Sequence, residues 1–468
     1  MDEQWYDEAF SADGLLRPPY AAMRERTGWD PMRPTSRAAS RLRDRPLDDD
    51  ARILPLPLVL DEEEYRSVLQ AGVSQRARVL QQLFADVVLG AQQALRAGIG
   101  LTADIIDDVL AADGTTRDRL RRLWGGRDRQ AIRFVYGPDL VRDHTGRWLV
   151  LEDNVGCVGG SVDAIEVAAR YRKATRLTDC PTCDRQPDLA VATRQLRDLS
   201  GHDRGGEVLA VLGCEAGGED PWAFLLRENA RRRHLFDRLG IAVVDSHEFD
   251  RRWAAGQVPR PSTLINFDVG SCERSSLGQA FADPGIVMLN APGTGALGSK
   301  ALLPYVDDLT RFYIGEEPIL AVPPTRLLSD GGLPADGDGW VVKASAGRQG
   351  TEVFVLTGQP RHRREHIELL LQNEWSAAGA VAQRYVEPSR LSPGPGGWDG
   401  YRVEIRPVSY VLGWQDVCVG RQPVGKFVSV FDARRLNNIS QGACYGPVLR
   451  EPCCPGADRG TRDAPPGG

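Results

Sequence analysis

The sequence has no uninterrupted apolar run approaching about 18 residues, which removes a membrane-spanning helix from consideration. It also lacks an excess of basic charge. Against 58 Lys and Arg stand 64 Asp and Glu, a formal net charge of −6. That balance argues against a general nucleic-acid or membrane-surface binder and leaves only local basic clefts open. No Gly-Lys-Ser/Thr phosphate loop, no nucleophilic serine or cysteine motif and no internal repeat occurs. The start, Met1-Asp2-Glu3-Gln4-Trp5, has neither basic residues nor an apolar stretch, so no signal peptide and a cytoplasmic location are expected. The nine cysteines are odd in number and scattered, unlike a disulfide framework. Cys180 and Cys183 form one CxxC, but no second pair completes a four-ligand zinc set. Cys453 and Cys454 are adjacent, which suits an exposed disordered tail better than chelation.

What is present is the composition of a soluble globular protein, 42% hydrophobic and 26% charged. At 468 residues the chain suggests two or three domains. Residues 1–55, rich in arginine and proline, read as an irregular arm. From Asp61 to about Gly98, apolar residues recur at three and four, with Asp61 and Glu64 placed as a capping box. Ile132–Tyr136, Leu140-Val141 and Trp148–Leu151 then read as strands around the turn Asp143–Gly146, followed by a helix near Val162–Arg172 and a polar linker to residue 206. Between 207 and 314 strands and helices alternate, predicting a small parallel α/β unit. Beyond residue 338 strands dominate, with one helix over His366 to about Ser376.

The sharpest local signal is acidic. Glu152 and Asn154 lie two apart on a strand and share a face. Asp139 precedes them across the turn and can sit opposite, making an all-oxygen set of the kind magnesium prefers. A solvated hairpin face is the plain alternative. Lys343 ends the strand Trp340–Val342 and faces Ala344–Gly350, a glycine-bearing turn with Ser345, Gly347, Arg348 and Gly350 that suits a polyphosphate lid or an ordinary hairpin loop. Lys300 opens a helix after Asn290–Ser299, tolerable against the helix dipole if an anion docks there and otherwise a surface lysine. Val381–Glu387 runs into Pro388 and can offer backbone groups to an adenine edge. Arg402, Glu404 and Arg406 alternate on one strand face, and Asn437–Gly442 closes the ordered region.

Taken in order, these stretches resemble the circularly permuted ATP-grasp family (type 2), relatives of glutathionylspermidine synthetase. The likeness runs from Tyr6–Phe10 to about Gly442. It is best at Gly137–Asp143 with Leu151–Asn154, at Asn290–Gly295 with Lys300, at Arg311–Leu320, and at Val341–Lys343, Ala382-Gln383 and Asn438–Gly442. The resemblance implies an α+β / α/β architecture. A permuted ATP-grasp fold carries a small Rossmann-like domain and a helical N-terminal region. The expected divisions are 1–130 (arm and helices), 131–200 (metal hairpin), 201–298 (α/β domain), 299–450 (remainder of the ATP-grasp domain) and 451–468 (tail). It further implies that Asp139, Glu152 and Asn154 hold Mg2+, and that Lys300 and Lys343 bind the phosphates of ATP. Ser345, Gly347, Arg348 and Gly350 would close over them, with Gln383, Tyr385 and Val386 as the adenine hinge.

Departures fall mainly on the acceptor side. Cys157-Val158-Gly159-Gly160 replaces the usual Pro-Ser-Gly, and Gly298-Ser299 precedes Lys300 where acidic residues are common. The expected activity is ATP- and magnesium-dependent ligation of a carboxylate to an amine through an acyl phosphate. Lys343 and Arg406 would neutralise the transferring group, and Asn438 would serve the tetrahedral intermediate. Expected partners are small-molecule or peptide carboxylates and amines, without nucleic acid or membrane. A nucleotide-binding protein without turnover and a small-molecule kinase are the competing classes.

Overall fold

In the computed structural model, residues 5–28, 30, 32–33, 36–43, 52–175, 188–200, 207–213, 223–268, 275–328, 333–334, 339–345, 352–356, 361–373, 379–395, 399–432, 439 and 442–451 are described. The largest sheet has eight strands. Asp416–Val419, Ser409–Gly413, Phe134–Arg142, Tyr401–Arg406, Val424–Ser429 and Cys444–Gly446 run across it in that order. Trp148–Val155 pairs with Phe134–Arg142, and Arg390–Leu391 with Tyr401–Arg406. The pairs reported within it are antiparallel. A second, four-stranded antiparallel sheet runs Val353–Val355, Trp340–Ala344, Ala380–Arg384, Thr325–Leu327. Its own apolar cluster includes Val342, Ala344, Leu356, Ile367 and Ala382.

The expected parallel unit is present as Ala242–Asp245, Glu207–Leu212, Ser262–Phe267 and Ile286–Leu289, all parallel neighbours in that order. Its strands are almost wholly apolar, as sheets covered on both faces require. Asn290, at φ 59°, ends this unit in the left-handed region that asparagine tolerates. Its Oδ1 accepts the Val135 N–H at 2.8 Å, and its Nδ2 donates to Asn266 O at 2.6 Å and to Gly156 O at 3.2 Å. One side chain thus ties the parallel sheet, the large sheet and the Gly156 turn together.

The helical segment after Asp61 is one continuous run from Glu62 to Leu89, with wide π turns at Tyr65–Gln70 and Ala85–Leu89. Asp61 does cap it, accepting the Glu64 N–H at 2.9 Å. The reciprocal half of the capping box is missing, because the Glu64 carboxylate is taken by Arg142 and by Trp148 Nε1. Two expectations are corrected. The arm contains helices at Pro18–Thr27 and Ser36–Arg43, the first opened by proline and closed by Gly28 in the left-handed conformation. The stretch taken for a polar linker contains the helix Asp188–Ser200, whose Leu189, Ala192 and Leu196 are buried at helical spacing. Cys180, Cys183, Cys453 and Cys454 lie outside the described residues.

Candidate active site

The hairpin Phe134–Arg142/Trp148–Val155 begins with Arg142 opposite Trp148. Continued without interruption, that register would put Asp139 opposite Leu151 and turn Glu152 to the other face. A β-bulge intervenes between Asp139 and Leu140, so that Asp139 faces Glu152 and Gly137 faces Asn154. The bulge gathers the three oxygen-bearing side chains on one face, and Leu151 is the residue it leaves without a partner. The Leu151 carbonyl accepts a hydrogen bond from Lys343 Nζ at 2.9 Å.

Asp153 points the opposite way. Arg76 holds it bidentately, Nε to Oδ1 and Nη2 to Oδ2, both 2.7 Å, and the Tyr136 hydroxyl donates to Oδ1 at 2.7 Å. All three groups are buried. The strand carrying Glu152 and Asn154 is thereby clamped from behind.

On the front face four cations meet three carboxylates. Lys300 Nζ lies 3.0 Å from Glu152 Oε1. Arg406, brought opposite Asp139 by the Ile405–Leu140 pairing, donates Nε to Oδ1 at 2.6 Å and Nη2 to Oδ2 at 2.7 Å. Lys426 Nζ adds a 3.1 Å contact to Asp139 Oδ1 and an ion pair with Glu404, its direct partner across the adjacent strand. Arg406 and Lys426 hold the Asp139 carboxyl well below the usual carboxylate range, against the effect of its burial. Burial, reinforced by Asp139 and opposed by Lys426, pushes Glu404 up to about 7.

Lys343 completes the group from the smaller sheet. Its Nζ donates to Gln383 Oε1 at 2.7 Å, and Gln383 Nε2 donates to Thr325 Oγ1 at 3.1 Å. Burial, with Lys300 adding to it, brings the Lys343 ammonium down to about 8 despite Glu152. The Lys300 N–H donates to Ser345 O at 3.2 Å. Ser345 Oγ is buried and has no hydrogen-bond partner among the described residues.

The structure therefore brings Asp139, Glu152, Asn154, Lys300, Lys343, Ser345, Gln383 and Arg406 to the junction of the two sheets. Tyr385 and Val386 follow the Ala380–Arg384 strand. The Tyr385 N–H donates to Gly339 O at 2.8 Å, and its hydroxyl donates to Glu387 at 2.6 Å. Gly347, Arg348, Gly350 and Asn438 lie outside the described residues. Sequence reading gave no role to Lys426, although a lysine amid Val424, Phe427 and Val428 on a buried strand is a visible anomaly. It noted Glu404 only as part of a charge cluster.

Among the described residues, no group of three His, Cys, Asp or Glu side chains forms a protein-only metal cage. Magnesium commonly takes only one or two carboxylates, together with waters and nucleotide phosphates. Glu152, Asn154 and Asp139 are donors of the right chemistry on one face. Protein cations pair with both carboxylates, and the Ser345 hydroxyl beside Lys300 has no partner among the described residues and fits a phosphate oxygen.

A family model described as circularly permuted ATP-grasp type 2 matches residues 57–178 and 267–415, more than half of the sequence. The chain belongs to that family. An uncharacterized protein of Synechocystis is 26% identical over 393 residues, covering 77% of this chain and 76% of its own length. A Frankia alni protein provisionally named glutamate–cysteine ligase 2-3 is 29% identical over 69% of this chain, which spans 40% of the Frankia protein. A glutathione synthetase-like effector of Globodera pallida, solved in apo form, superimposes with TM-score 0.49 at 12% identity, over 84% of this chain and 89% of its own.

Proposed function

We propose that the protein is an ATP- and magnesium-dependent ligase that joins a carboxylate to an amine through an acyl-phosphate intermediate. The observation carrying this reading is the convergence of Lys300, Lys343, Arg406 and Lys426 on the Asp139/Glu152 face, with partners from both sheets. Such a surplus of buried cations suits a polyphosphate better than a neutral ligand. Family membership and the name of the Frankia relative support the same class.

In this reading Lys300 and Lys343 hold the phosphate oxygens of ATP, and Ser345 Oγ donates to one of them. The segment Gln383–Val386 borders the adenine. Glu152, Asn154 and Asp139 would hold magnesium, which would supply neutralisation of phosphate charge. A substrate carboxylate oxygen attacks the γ-phosphorus, the bond to the β-phosphate bridging oxygen breaks, and ADP leaves. Arg406 offsets the charge on the transferring group. The amine nitrogen then attacks the acyl carbon, the C–O bond to phosphate breaks, and inorganic phosphate departs. The proton lost by the amine passes to the departing phosphate, an oxyanion near neutral pH.

The test is incubation with ATP, magnesium and pooled carboxylates and amines. Formation of ADP and phosphate in step with an amide product supports ligation. A stable phosphorylated product would point to a kinase, and nucleotide binding without turnover to a non-catalytic relative. Glu152→Gln is expected to abolish magnesium-dependent turnover in a protein that still folds, with its thermal midpoint lowered because buried Lys300 loses the Glu152 carboxylate. Undiminished turnover in this variant would remove Glu152 from the metal assignment.

A second expectation concerns protons. Phosphate binding favours the charged form of Lys343 and so raises its pKa from about 8. At pH 9, where the ammonium is mostly deprotonated before binding, nucleotide binding is expected to take up protons. Calorimetry in two buffers of different ionisation enthalpy measures this directly, and buffer-independent heats would exclude it.

A further inference from the structure

The metal reading proposed above raises a difficulty at Asp139. Both of its oxygens are engaged, Oδ1 by Arg406 and Lys426 and Oδ2 by Arg406. A carboxylate neutralised by two cations at hydrogen-bond distance is a poor ligand for a third, because the incoming divalent ion is repelled by both. Lys426 differs from Arg406 in having somewhere else to go. Its ammonium already bridges to Glu404, one strand over on the same face. A lysine ammonium is a point charge on a rotatable stem, whereas the bidentate guanidinium of Arg406 is locked by its planar fork and by a further bond from Nη1 to Gly159 O at 3.0 Å.

We propose that Lys426 is an exchangeable counter-ion that occupies the metal position at Asp139 until polyphosphate arrives. In the metal-free state its charge neutralises the Asp139 carboxylate and blocks it. When phosphates enter, Lys426 turns from Asp139 toward them, tethered through Glu404, and Asp139 becomes available to magnesium. Metal alone then binds weakly, and metal and nucleotide bind cooperatively. The inference rests on the proposed metal role of Asp139 and adds to it an order of binding set by a lysine of the large sheet.

The test uses the full chain and Mn2+ as probe, with free Mn2+ followed by electron paramagnetic resonance in the absence of nucleotide. Lys426→Met removes the competing charge and is expected to tighten Mn2+ binding about tenfold or more. A merely structural lysine would leave affinity unchanged or weaken it. Lys426→Gln, closer in shape, is measured alongside so that a fold defect in one variant does not decide the outcome, and thermal midpoints are recorded for both. Lys426→Arg keeps the charge and is expected to retain weak metal binding. If both neutral variants fold and bind Mn2+ no more tightly than the parent, the inference is overturned while the ligase reading stands. If the parent binds no Mn2+ even with ADP present, the metal assignment itself falls and takes the inference with it.

Discussion

Lys343→Met is expected to lower nucleotide-dependent turnover by about 10²–10³, the loss typical of removing one preorganised donor to developing charge. Lys343 Nζ reaches from the smaller sheet to the Leu151 carbonyl of the bulged hairpin and to Gln383, so it links both halves of the site. Its removal also leaves Gln383 Oε1 without a donor among the described residues. The variant should nevertheless fold, because burial already makes the ammonium unfavourable. The sign follows from linkage. The pKa of Lys343 falls from 10.5 to about 8 on folding, so its contribution to stability is present above 10.5 and is lost as pH falls through 8. A neutral methionine escapes that penalty. Thermal unfolding at pH 7 and steady-state turnover, measured together, separate the two effects. Turnover within a few-fold of the parent would remove Lys343 from the phosphate site.

Asp153→Asn is expected to behave in the opposite way, costing stability first. Arg76 is 3% exposed and pairs with Asp153 through two bonds of 2.7 Å. Taking away the carboxylate strands a buried guanidinium, a change that typically destabilises by about 3–5 kcal/mol. Asp307, 3.6 Å from Arg76, compensates only in part. Urea unfolding provides the measurement, and a loss under about 1 kcal/mol would mean that the pair is well solvated after all. Tyr136→Phe removes one hydrogen bond from the same carboxylate without stranding a charge, so its cost should be about 1 kcal/mol.

These two sites also show how far one-dimensional reasoning reaches. Glu152 and Asn154 share a face because side chains alternate along any strand, and that much needs no tertiary information. The parallel unit could be read from its spaced apolar strands, and Lys343 from a strand that ends in a glycine-bearing turn. The helix Pro18–Thr27 was hidden because it carries almost no apolar stripe, and those at Ser36–Arg43 and Asp188–Ser200 because their stripes are narrow, two or three small or aliphatic residues amid polar ones that count only once neighbouring elements cover them.

Residue order alone settled which chemical groups were available: two carboxylates and an amide on one hairpin, and two lysines far downstream in a permuted arrangement. Tertiary structure decided which of them meet. The bulge between Asp139 and Leu140 turns Glu152 to the face of Asp139, and no rule of strand alternation could supply it, since an uninterrupted register from Arg142 and Trp148 puts them on opposite faces. Lys426 joins the site only because the strand Tyr401–Arg406 pairs with both Phe134–Arg142 and Val424–Ser429, which lets its Nζ donate to Asp139, 287 residues away in sequence. Local preferences act over a few residues, whereas charge acts through space, so the electrostatics of this site exist only once the sheets have formed.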